Sequence, residues 1–96
     1  MAANYAHSID ANQPEIIQAF EGMGVTVHDQ SHAGRGLPDL LCWDIAGTFL
    51  VECKKPHGRL STAEQRFWDK WPGDKYICYG YDHAIQIANE RRRRSL

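Results

Sequence analysis

The chain has 96 residues, 43% of them hydrophobic by the wide count and 24% charged, an ordinary globular balance that excludes disorder or coiled coil as a whole-chain description. That is one domain's worth of polypeptide, able to bury roughly 60–65% of its unfolded surface. With 11 Lys plus Arg against 12 Asp plus Glu, the formal net charge is -1, which excludes a polycation that binds nucleic acid by bulk charge alone.

No apolar run approaches the ~20 residues a membrane helix needs. The first residues lack a basic-then-apolar pattern, so no secretory signal is expected. Cys42, Cys53 and Cys78 are odd in number and widely spaced within strand-like apolar runs. They read as buried thiols in a reducing, cytoplasmic compartment.

Residues 1–11 read as irregular. A first helix starts near Asn12, a good N-cap, with Pro14 in its first turn. Ile16, Ile17, Phe20 and Met23 recur at helical spacing, and Gly24 stops the helix. Residues 25–28 read as a short strand, and 29–37 as a polar, Gly-rich loop. Residues 40–43 and 48–54 read as two strands joined by the turn 44–47, with Asp44 and Gly47 at its ends.

Ser61 with Glu64 three residues later forms a capping box, so a helix is expected over about 62–71, ended by Pro72 and Gly73. Residues 76–79 read as a fourth strand. Asp82 can cap a last helix containing Ala84, Ile85 and Ala88, and the segment 91–96 reads as a basic C-terminal tail. The order α-β-β-β-α-β-α suggests an α/β fold, a small mixed sheet of about four strands flanked by helices.

Gly36, Leu37, Pro38 and Asp39 are followed after twelve residues by Glu52, Cys53 and Lys54. If Trp43 pairs with Thr48 across the turn, Asp39 lies opposite Glu52. Their Cβ atoms are then ~4.5–5.5 Å apart on one face. Lys54, two residues on, shares that face. Leu41, Trp43 and Leu50 lie on it too, while Leu40, Cys42, Phe49, Val51 and Cys53 lie on the other. Two carboxylates so placed repel, and a divalent cation is a natural remedy. Carboxylates, lysine and metal together suit phosphodiester cleavage.

His28, His32 and His57 lie near Cys42 and Cys53 in sequence, but none of the spacings suits a zinc site. His32 or His57 could contact phosphate from the flanking loops. Arg35, Lys55, Arg59 and Arg66 cluster around the motif and would suit a DNA backbone. Trp68 and Trp71, beside Phe67, read as a core or dimer stripe.

The sequence resembles the VRR-NUC domain of the PD-(D/E)XK nuclease superfamily, in the short stand-alone form found in phages. The matching residues begin with Asp10-Ala11-Asn12-Gln13 and Glu15. They continue with Gly36-Leu37-Pro38-Asp39-Leu40 and Val51-Glu52-Cys53-Lys54. They end with Gly58-Arg59-Leu60-Ser61, Glu64-Gln65 and Trp71-Pro72-Gly73.

The likeness covers about residues 10–88 and implies a single nuclease domain with a restriction-endonuclease-like core. By this resemblance Asp39 and Glu52 would be metal ligands, with the Cys53 backbone carbonyl as a further ligand and Lys54 as the catalytic lysine. Glu15 matches the acidic residue of the superfamily's first helix and would complete the metal shell directly or through water. Gln65, or alternatively Glu64, matches the polar residue on the helix after the lysine. The resemblance further implies a homodimer, dependence on Mg²⁺ or Mn²⁺, and endonuclease activity on branched DNA such as Holliday junctions, leaving 5′-phosphate and 3′-hydroxyl ends. The competing expectation is a non-catalytic module that binds DNA structure.

Overall fold

A computed structural model describes residues 12–96. The expectation for 1–11, and the Asp10-Ala11 part of the likeness, lie outside the described residues. The elements run α1 (Gln13–Gly22), β1 (Thr26–Asp29), β2 (Leu40–Asp44), β3 (Gly47–Cys53), α2 (Thr62–Lys70), β4 (Asp74–Cys78) and α3 (Tyr81–Arg94). They form one mixed four-stranded sheet in the order β1-β2-β3-β4. The first two pairings are antiparallel, and β3 runs parallel to β4, with α2 making the crossover. The α/β architecture and element order are those expected from the sequence. No helix among the described residues is long and apolar enough to cross a membrane.

The hairpin register follows from the turn. Trp43 pairs with Thr48 and Leu40 with Val51. That alternation sends Leu40, Cys42, Phe49, Val51 and Cys53 into the core, where Ile16, Ala19 and Phe20 of α1 and Ala84, Ile87 and Ala88 of α3 meet them. Phe49 is the hub, with edge contacts to the rings of Phe20 at 5.8 Å and Tyr76 at 5.6 Å.

Helix α1 ends as its glycine dictates. Gly24 takes φ +83, its N–H bonds to the Glu21 carbonyl, and the Val25 N–H bonds to that of Phe20. Its start differs from expectation. Asn12 is the N-cap residue, but its backbone is in the helical region and its side chain makes no cap bond. Instead Nδ2 donates to the carbonyls of Lys54 (3.0 Å) and Tyr79 (3.3 Å), just past the ends of β3 and β4. The amide thus anchors the helix head to the sheet end that carries the ionisable groups.

Three further expectations are corrected. The fourth strand starts earlier, at Asp74. Gly80, not Asp82, caps α3, and Asp82 lies in its first turn. The segment 91–96 is not a tail, because α3 runs through Arg94 and Arg91 is fully buried. Arg91 follows Ala84, Ile87 and Ala88 at helical spacing, so it falls on the face that packs against the sheet.

Helix α2 lies over the other face of the sheet, where Glu52 and Lys75 project. It has no buried residue. Polar ties hold it. Ser61 and Glu64 form the expected capping box. Lys75 Nζ donates to the carbonyls of Trp68 and Trp71 in its last turn (2.6 and 2.8 Å). At its start the backbone of Gly36 presses on Ala63 so closely that a Cβ at position 36 would come within 2.4 Å of the Ala63 oxygen.

Candidate active site

Glu52 lies within the buried run of β3, next to its last residue, and only 3% of it is exposed. Leucine or valine would be the cheap choice there, since a buried carboxylate is costly without partners. Its neighbours are themselves charged. Lys54 Nζ lies 3.6 Å from Glu52 Oε2 and 2.9 Å from Glu64 Oε1. Glu64 shares a hydrogen bond with Glu52. Asp39, at the entrance to β2, accepts a bond from the Cys53 N–H through Oδ2 (2.9 Å) and repels the Glu52 charge. The hairpin register, extended one step past Leu40 and Val51, brings the two acidic residues together.

The electrostatics follow from crowding. Burial, then Asp39, then Glu64 push the Glu52 carboxyl up to about 9, against the weaker opposing pull of Lys54. Burial acts on Glu64 in the same direction, but the Ser61 N–H and the bonds to Lys54 and Glu52 outweigh it and hold Glu64 below its usual value. The proton between the two therefore rests on Glu52.

A stability prediction follows for the metal-free chain. The folded pKa of Glu52 lies above its ordinary 4.5, so the stabilisation carried by that proton is complete below pH 4.5 and is lost as pH rises towards 9. Glu64, depressed, works in the opposite sense and only at the acid end. Urea midpoints in EDTA should fall between pH 5 and 9, with a slope of up to about 1.4 kcal/mol per pH unit. Glu52→Gln should flatten that slope. An equally steep slope in the variant would refute the account.

Among the sequence candidates, the structure brings together Asp39, Glu52 and Lys54, together with the backbone of Cys53. Of the competing pair on α2, Glu64 belongs to the cluster, whereas Gln65 donates to Asp69 on the exposed side of the helix (2.7 Å). Gln65 thus stands apart from the cluster. Glu15 is exposed in the first turn of α1. Arg35, Lys55, Arg59 and Arg66 are exposed on the loops and helix that surround the site, and Arg35 and Arg66 line a common pocket.

Sequence reasoning missed Asn12, whose amide fixes the Lys54 and Tyr79 carbonyls. A helix-cap residue explains itself locally, so no signal pointed further. Glu64 was half hidden for the same reason. Its alignment with Trp68 and Trp71 at helical spacing, on the side turned to the sheet, was the available clue.

The donor set fits a hard divalent cation. Glu52 and Glu64 flank one ammonium and Asp39 adds its charge beside Glu52, an excess of carboxylates that the metal-free chain relieves by holding a proton. Mg²⁺ commonly takes one or two protein carboxylates and fills its remaining positions with water and phosphate oxygens. Among the described residues no three of His, Cys, Asp and Glu already stand in metal-holding geometry, so water and substrate oxygens would supply the rest of the shell. In comparisons with known proteins no family model matches the chain, nor does any curated protein or solved structure.

Proposed function

We propose that this chain is a divalent-metal-dependent endonuclease that hydrolyses DNA phosphodiesters, selective for branched DNA and acting as a homodimer. The observation that carries the reading is the buried Glu52 carboxyl set against Asp39, with the Lys54 ammonium 3.6 Å away. A core glutamate with acidic neighbours lowers stability, and such perturbed groups concentrate where chemistry is done. The resemblance to VRR-NUC domains points to the same residues.

In this reading Asp39, Glu52 and the Cys53 carbonyl would hold Mg²⁺ or Mn²⁺. When bound, the ion supplies a Lewis acid for the phosphate oxygen and lowers the pKa of the attacking water. The residues of the chain do the rest. Glu64 and Glu52 hold Lys54 in place, so its ammonium is oriented before substrate arrives. Lys54 orients the water and offsets charge on the phosphate as the bond to the 3′ oxygen breaks. Asp39 ties the loop before β2 to the Cys53 N–H, and Asn12 ties the head of α1 to the Lys54 carbonyl, so three chain segments keep the cluster rigid. Arg35, Lys55, Arg59 and Arg66 would track the backbone around the site. A two-fold pair of sites suits cutting two strands of a junction.

The test is incubation of the protein with labelled four-way junction, linear duplex and single strand in Mg²⁺, Mn²⁺ or EDTA, with light scattering in parallel. Metal-dependent cutting, strongest on the junction and by a dimeric species, is expected. Junction binding without cutting in either metal would reassign the chain as a non-catalytic DNA-structure-binding module.

A further inference from the structure

On the flank of α2, an open pocket of about 270 Å³ is lined by Arg35, Ala63, Arg66, Phe67 and Lys70. We propose that this pocket seats backbone phosphates of a nucleic-acid strand beside the Asp39, Glu52 and Lys54 cluster. The proposal rests on the DNA reading above and deepens it, by naming where the strand is gripped outside the reacting centre.

The first argument is charge. The lining holds three cationic side chains and no carboxylate. Among the described residues none of the three makes an ion pair. Arg66 and Lys70 stand four apart on one helix, a spacing at which like charges repel. The free fold gains nothing from this grouping, whereas an anion between the three removes the repulsion.

The second argument is backbone conformation. Gly34, Arg35 and Gly36 take φ +71, +60 and +78 in succession, and the Leu37 N–H closes the turn on the Gly34 carbonyl. Such a turn favours glycine or asparagine at both central positions. Gly36 obeys, being pressed on Ala63. Arg35 does not, although an L residue other than Asn or Asp rarely adopts this region. Strain of this kind points from the outlier to a use for its side chain. The tight contact of Gly36 with α2 fixes the turn, and so aims Arg35 at Arg66 and Lys70.

The third argument is position. Lys70 lies six residues beyond Glu64 on α2, about 9 Å along the axis. Phosphates of one strand advance about 3.4 Å each along a duplex. Lys70 marks the far end of the pocket and Ala63 the near end, so the pocket takes phosphates within about two or three nucleotides of the one at Lys54.

The experiment is anisotropy of a labelled duplex in EDTA, titrated with wild type, Arg35→Asn, the double variant Arg66→Ala/Lys70→Ala, and Arg93→Asn as a charge control on exposed α3, with thermal melts alongside. Arg35→Asn should melt no lower than wild type yet bind about fivefold or more weakly. The slope of log affinity against log salt should shrink by about 0.9 for each contact removed. Arg93→Asn should bind as wild type does. Wild-type affinity and slope in both pocket variants, or an equal loss in Arg93→Asn, would overturn the pocket. So would a wild type that binds no duplex at about 50 mM salt. Cleavage is read separately. A chain that binds through the pocket but cuts nothing in Mg²⁺ or Mn²⁺ defeats the nuclease reading and leaves the pocket standing. A chain that cuts while its pocket variants bind normally does the reverse.

Discussion

Lys54→Ala should lower the cleavage rate by at least about a hundredfold, the usual loss when one charge-stabilising donor leaves a reacting centre. The chain should still fold. Lys54 sits at the rim of the site with 18% of its side chain exposed, and its bonds to Cys78 and Asn12 are made by its backbone, which alanine keeps. Removing it takes one attraction from Glu52, whose carboxyl already keeps its proton, and one from Glu64, which retains the Ser61 N–H. A modest loss of stability is therefore expected beside a large loss of rate.

Lys54→Arg should not restore the rate, because a planar guanidinium cannot take the place of a compact ammonium held between two carboxylates. Single-turnover cleavage of the junction, with far-UV circular dichroism on the same samples, separates rate from folding. Full activity in a folded Lys54→Ala chain would remove the lysine from the mechanism, and the nuclease reading would lose its central group.

The parts of this site that were legible in the sequence are those built by short-range rules. A four-residue turn between two apolar runs sets the hairpin register, and the period of two then places Asp39, Glu52 and Lys54 on one face. The capping box is equally local. What stayed hidden depends on contacts between distant segments. Asn12 carries every mark of a helix cap, yet its amide serves two strand ends 42 and 67 residues away. Four consecutive arginines read as a solvated tail by composition, although continuing the period from Ala84 through Ile87 and Ala88 lands on Arg91. Composition prevailed over periodicity because a buried arginine needs partners, and its partners lie at the β2–β3 turn and the start of β4, not beside it in the chain.

Those partners make Arg91 the residue whose loss should harm the fold most. Its side chain is 0% exposed. Nε donates to Asp44 Oδ2 at 2.8 Å and Nη1 to Asp74 Oδ2 at 2.7 Å, while Nη2 reaches Asp44 Oδ1 and the Gly47 carbonyl, both at 3.1 Å. Tyr76 Oη adds a contact at 3.2 Å, and the guanidinium lies 4.0 Å over the Phe49 ring. One fork thus joins the β2–β3 turn, the start of β4 and the end of α3. Burial alone would lower the Arg91 pKa, but the hydrogen bonds to Asp44, Asp74 and Tyr76 outweigh it and hold the group above its ordinary value. Burial likewise works against the Asp44 charge, and the bonds from Arg91 overcome it, so Asp44 stays ionised.

Arg91→Ala leaves a cavity and takes the cation from Asp44, while Asp74 keeps only Arg94 at 3.6 Å, and breaking such a buried pair costs about 3–5 kcal/mol. For a domain whose whole stability is about 5–15 kcal/mol, that is a large share. Arg91→Lys should recover little, since an ammonium cannot span both carboxylates and the turn carbonyl. Arg93→Ala, on the exposed side of the same helix, should stay within about 0.5 kcal/mol of wild type. Urea denaturation of the three variants reads these differences. Arg91 grips the turn end of the hairpin and Glu52 lies at the other end. At temperatures where Arg91→Ala remains folded, the carboxylate cluster should therefore keep its geometry and any cleavage its rate per folded molecule. If Arg91→Ala proved as stable as wild type, the three-way junction of turn, strand and helix would have to be held by the apolar contacts of Phe49, Ile87 and Ala88 alone.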